Sequence, residues 1–97
     1  MIARIVIDEP RLFYSYLDEE HFFRWLQSIP VVADVKRIGR HLEVSFSAPL
    51  NEPDLRDLIA LLTRYDLDMA CLRPFLNSSN EKWFKNAHAY WYSDVFG

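Results

Sequence analysis

Apolar and polar residues alternate most cleanly between His41 and Ala48. Leu42, Val44, Phe46 and Ala48 fall on one side of an extended chain, and His41, Glu43, Ser45 and Ser47 fall on the other. This pattern predicts a strand with one buried face. The preceding segment, Val31 to Ile38, is also β-rich, and Gly39-Arg40 joins the two. Gly39 supplies the permissive backbone that a tight hairpin turn needs. A third β-rich run, Ile2 to Ile7, could extend past a break at Pro10 into Leu12-Phe13-Tyr14-Ser15-Tyr16.

Two segments carry the helical period instead. Phe22, Trp25, Leu26 and Ile29 recur at offsets of three, four and seven, and Pro30 marks the stop. Asp18 reads as the N-cap of this helix, with Glu19 and Glu20 in a first turn where the helix dipole favours carboxylates. The second helix is capped by Asn51, holds Glu52, Pro53 and Asp54 in its first turn, and buries a stripe of Leu55, Leu58, Ile59, Leu62 and Tyr65. Beyond Asp68, Met69 to Leu72 predicts one further helical turn closed by Pro74. Asn77-Ser78-Ser79-Asn80 is a loop, and an aromatic tail follows to Gly97. The order β-α-β-β-α, plus a helical or irregular C-terminal tail, predicts an α+β fold. In it a small antiparallel sheet carries helices packed on one face.

A length of 97 residues predicts a single domain, residues 1–97, with one hydrophobic core and little chain left for a deep substrate cavity. The two glycines, Gly39 and Gly97, are far apart, which excludes the clustered glycines of a P-loop or a dinucleotide fingerprint. The lone Cys71 excludes an intramolecular disulfide and a four-cysteine metal site, and fits a reducing compartment. Its apolar context, Met69-Ala70-Cys71-Leu72, reads as a small buried hydrophobe more than a nucleophile. The apolar run near the start is too short for a secretory signal, and the longest, Leu58 to Leu62, is far short of a membrane span. The expectation is a soluble cytoplasmic protein without a membrane partner.

The candidate chemistry is sparse. His21, His41 and His88 are far apart and lack a second ligand at metal spacing, so no metal and no cofactor is expected. Asp66 and Asp68 together offer a metal site or an acid/base pair, and a small enzyme built on them and a histidine is one reading. Capping of the next turn by Asp68 is the plainer one. From Asn51 to Asp68 the chain carries five acids, Glu52, Asp54, Asp57, Asp66 and Asp68, against two arginines. The hairpin has the opposite sign, with Lys36, Arg37, Arg40 and His41 clustered around Gly39. Such a hairpin could serve a small regulatory or nucleic-acid-associated module. The net charge of −3 argues against nucleic acid as the principal partner, and turn charges also discourage edge-to-edge strand pairing.

Fifteen aromatic residues exceed what a core of this size requires, and seven of them lie between Phe75 and Phe96. Trp83 and Trp91 read as lids on the core. Tyr90, Trp91 and Tyr92 in succession cannot all face inward, so at least one is expected at the surface, where aromatics anchor interfaces. A compact, catalytically sparse domain with an acidic helix and surplus aromatics is built as a binder. The predicted partner-binding residues are Glu52, Asp54, Asp57, Asp66, Asp68, Tyr90, Trp91 and Tyr92.

In its size, its acidic helix and its tail, Asn80-Glu81-Lys82-Trp83-Phe84 through Tyr90-Trp91-Tyr92-Ser93-Asp94-Val95-Phe96-Gly97, the chain resembles the small cytoplasmic immunity proteins of bacterial polymorphic-toxin systems, including contact-dependent growth inhibition. The resemblance implies a non-catalytic inhibitor that binds one cognate toxin domain, often a nuclease, and covers its active site. An acidic surface suits a basic substrate groove and speeds association.

Overall fold

The computed structural model describes residues 4–97. Its elements are β1 (Arg4–Asp8), α1 (Tyr16–Ser28), β2 (Val32–Ile38), β3 (His41–Phe46) and α2 (Glu52–Arg64). A 3₁₀ segment (Ala70–Phe75) and two single-turn helices, α3 (Glu81–Phe84) and α4 (Tyr92–Val95), complete the chain. The β-α-β-β-α order and the α+β class are as the sequence predicts. Ile2 and Ala3, placed by the sequence at the head of the first strand, lie outside the described residues.

The strands form one antiparallel sheet in the order β1-β3-β2, so the strand with the cleanest alternation is the central one. Register places Ile5 and Val35 on either side of Val44, and Ile7 and Arg37 on either side of Leu42. Ile5, Ile7, Leu42, Val44 and Phe46 are buried beneath the helices, while Val6, Lys36, Ile38 and His41 on the opposite face are exposed. Gly39 turns the hairpin at φ +61°, a conformation that costs a residue with a β-carbon free energy. Ala48 does not continue the buried face: β3 ends at Phe46 and Ala48 is exposed, next to Pro49, which has no amide hydrogen for the ladder.

The start of α1 corrects the sequence reading. Leu12 to Tyr16 is not a strand, and Asp18 is not the N-cap. Ser15 is extended and its side chain accepts a hydrogen bond from the Asp18 amide at 3.1 Å, so the helix begins at Tyr16. Asp18 occupies the third helical position, from which its carboxylate reaches back to the Tyr14 amide at 3.0 Å. Ser15-Tyr16-Leu17-Asp18 is thus a capping pattern, which outweighed the β propensity of the flanking tyrosines. Phe22, Leu26 and Ile29 face the core as their spacing requires, and Trp25 is half-buried at the stripe's edge.

At α2 the cap is as read. The Asn51 side chain accepts from the Asp54 amide at 2.9 Å, and Asp54 accepts from the Asn51 amide at 3.5 Å, completing a capping box. Leu55, Leu58, Ile59 and Leu62 are buried, and Leu61 joins them outside the expected stripe. The helix ends in a Schellman motif: the Leu67 amide donates to the Leu62 carbonyl and the Asp66 amide to the Thr63 carbonyl. Asp66 therefore takes the left-handed conformation, φ 55°, that glycine usually fills. Pro74 does not close the next turn but lies inside the 3₁₀ segment, where the fixed proline φ is compatible with that helix.

The tail closes the core as a set of interlocked aromatics. Phe84 and Val95 are fully buried, and the Trp91 indole donates from Nε1 to the Phe84 carbonyl at 2.7 Å. Trp83 meets Trp91 edge-on at 6.1 Å between centroids. Arg73 binds the tail to the 3₁₀ segment through a hydrogen bond to the Val95 carbonyl.

Candidate partner-binding surface

The acids of α2 do not form one free patch. Asp54 is 5 % exposed and engaged in the capping box, which removes it from the predicted contact surface. Glu52 pairs with Arg56 at 2.8 Å, one helical turn on. Asp68 accepts from the Ala70 amide at 3.0 Å, so its carboxylate serves the local turn, and Asp66 serves the helix end. Asp57 is exposed and makes no ion pair among the described residues. In the tail Trp91 is 7 % exposed and belongs to the core, again contrary to its predicted place at an interface. Tyr92 is half-buried against Phe96, and Tyr90 is the residue of the three that faces solvent. Each of the two side chains has a backbone hydrogen-bond partner, the Asn51 amide for Asp54 and the Phe84 carbonyl for Trp91.

The basic hairpin is likewise divided. Adjacent strand residues point to opposite faces, so Lys36 lies on the outer face while Arg37 lies on the helix side. There Arg37 Nε meets Glu9 Oε1 at 2.5 Å, and its guanidinium lies 5.6 Å from the centre of the Phe23 ring. His41 faces Asp8 at 3.4 Å. Lys36 and Arg40 make no ion pair among the described residues.

The described residues hold no group of three or more His, Cys, Asp and Glu side chains that could bind a metal ion. His21 and His88 are exposed and separate. The Cys71 thiol is pushed up to about 11, first by burial and then by the Asp68 carboxylate. That is opposite to the depression that activates a cysteine nucleophile, and it leaves a neutral thiol at pH 7.

A different surface emerges where the chain leaves β1. The segment from Asp8 to Tyr14, the turn at Arg40-His41 and the end of α2 at Arg64 to Leu67 enclose an open groove of about 1310 Å³. Its base is held by bonds between segments distant in sequence: the Glu9 amide donates to the Arg40 carbonyl, and Tyr65 donates its hydroxyl to Asp18 at 3.3 Å. Asp18 thus ties the Tyr14 amide and Tyr65 together, and Phe13 points inward against Phe22 and Tyr65. Burial, and after it the charge of Asp18, raises the Tyr65 pKa above its ordinary value and keeps that hydroxyl a donor.

With Phe13 anchored, its neighbours face outward. Leu12, Tyr14, Tyr16 and Leu17 are 65 to 89 % exposed, and among the described residues they make up four of the seven exposed large apolar side chains. Leu12 and Tyr14 line the groove itself. Sequence reasoning missed this cluster because it read the segment as strand. The Ser15-to-Asp18 capping pattern was the signal that could have found it. Searches against protein families, curated proteins and solved structures find no match to this chain. Among the described residues no helix is long and apolar enough to cross a membrane.

Proposed function

We propose that this chain is a non-catalytic protein-binding module, and in particular an immunity-type inhibitor of a cognate toxin domain. The observation that carries the reading is the exposed cluster Leu12, Tyr14, Tyr16 and Leu17 beside an open groove. Exposed apolar side chains concentrated in one short segment mark an interaction site, and tyrosine gives large contact area at low rotamer cost. The contact surface in this reading is the α1 entry and its groove, not the acids of α2 or the tail. The raised thiol pKa of Cys71 and the dispersed histidines are also what a binder tolerates.

The test is co-expression with the C-terminal domain of a large secreted toxin encoded beside this chain. Growth should be rescued and the two proteins should copurify. The double variant Tyr14→Ala/Leu17→Ala should keep its circular dichroism spectrum and lose rescue. An adjacent gene of another kind, or a toxin domain that still kills in the presence of the folded chain, would overturn the inhibitor reading.

A further inference from the structure

β1 is an edge strand, and its outer edge is unbonded. The hairpin closes on the Ile38–His41 pair, so alternate residues of β3 turn their amides and carbonyls to β2 and to β1. Leu42 and Val44 bond to Ile7 and Ile5, and the Glu9 amide continues that row to the Arg40 carbonyl. Arg4, Val6 and Asp8 therefore point their backbone groups away from the sheet, where these find no hydrogen-bond partner among the described residues. Their side chains share the sheet face opposite the helices. Val6 is 54 % exposed there, with a cation two residues before it and a carboxylate two residues after. Arg4 meets Glu43 at 3.5 Å and Asp8 meets His41 at 3.4 Å, and both side chains remain half or more exposed. β1 also keeps one register with β3 throughout. The other edge, β2, slips between Val32 and Asp34 and sets Lys36 beside Arg37. A bulge and a run of like charges keep an edge from pairing, and β1 has neither.

We propose that β1 pairs antiparallel with β1 of a second copy of this chain, across a two-fold axis at Val6. The two three-stranded sheets then become one, with the helices of both copies on the same face. In this register Val6 lies opposite the partner's Val6, and Arg4 lies opposite the partner's Asp8. Arg4, Val6 and Asp8 each exchange both of their outward backbone bonds, and the two-fold axis repeats the charge pair. Self-complementarity is what assigns the occupant: a strand with Arg4 and Asp8 equidistant from Val6 is its own match. A shift of two residues sets Val6 against the partner's Arg4 or Asp8, so the register is specified. Exposed ion pairs add little free energy in water, and here they select partner and register. The backbone ladder and the covered valines supply the contact. A five-residue edge buries an area at the small end of specific interfaces, so the dimer depends on concentration. The proposal is independent of the inhibitor reading, and its test uses this chain alone.

Sedimentation velocity of the full-length chain between about 10 µM and about 1 mM should show monomer giving way to dimer. Arg4→Glu leaves only carboxylates at the two ends of the edge, and Asp8→Arg leaves only guanidinium groups. Each variant alone should associate about ten-fold more weakly than the parent. An equimolar mixture of the two should restore association, because each then meets opposite charges at both ends of the strand. A role for these side chains within one copy predicts no such restoration. Circular dichroism checks the fold of both variants. Amide hydrogen exchange needs no substitution: raising the concentration of the parent chain should protect the amides of Arg4, Val6 and Asp8. If a variant does not fold, the exchange result alone decides. A chain that stays monomeric at about 1 mM would overturn the proposal. So would single variants that associate like the parent, a mixture no stronger than its components, or protection that rises along β2 in place of β1.

Discussion

The guanidinium carbon of Arg56 lies 4.2 Å from the centroid of the Trp83 ring, while its Nε holds Glu52 at 2.8 Å. One α2 side chain thus clamps the C-terminal tail to the helix, with the Trp91 ring also within 6.0 Å. A cation over an indole contributes about 0.5–1 kcal/mol at a partly exposed site, and the aliphatic stem adds packing. Arg56→Ala should lower stability by about 1 kcal/mol and shift tryptophan emission, since Trp83 loses its cover. Unchanged emission together with an unchanged denaturation midpoint would show that the tail holds without the clamp.

Leu58 is fully buried at the centre of the α2 stripe. Leu58→Ala removes packed methyl groups and leaves a cavity that the surrounding helices and sheet fill only in part. The expected loss is about 2–5 kcal/mol. Urea denaturation followed by circular dichroism measures it, and a loss near zero would mean that the helix is free to rotate.

Asp66 offers a gain. It holds φ 55° at a helix end where left-handed backbone costs a residue with a β-carbon about 1–2 kcal/mol, and its carboxylate stands at the negative end of the dipole. Asp66→Gly should raise the melting temperature, corresponding to about 1 kcal/mol. A lower melting temperature would show that the carboxylate has a stabilising role which outweighs the strain.

Cys71 makes stability depend on pH. In the folded chain its pKa is raised from 9.0 to about 11, so the native state holds the proton more tightly than the unfolded state. The contribution is fully present below pH 9.0 and is lost as pH rises through about 11. Stability should therefore fall across that interval, and Cys71→Ala should flatten part of the fall. Tyr65, also raised, keeps the remainder. Alkylation of native protein at pH 8 by iodoacetamide should be slow beside that of free cysteine, and labelling at the free rate would contradict the burial.

The strand alternation at Leu42, Val44 and Phe46 and the helical spacing at Leu55, Leu58, Ile59 and Leu62 were legible in the sequence, as was the Asn51 cap. Each of these is local: backbone geometry alone puts the residues on one face, and an apolar face must be covered. The α+β order followed from them. The sequence did not reveal which outward-looking groups have distant partners. Arg37 finds Glu9 across 28 residues and Tyr65 finds Asp18 across 47, and those contacts bring the hairpin, the segment after β1 and the end of α2 together around one groove. Tertiary structure also decided the places of two aromatics. Trp91 went inside because the Phe84 carbonyl lies within reach of its indole, and Tyr14 stayed outside because Phe13 took the inward place beside Phe22. Side-chain periodicity records which residues share a face. Burial and free charge are decided by what another part of the chain brings to that face, and that information is not local.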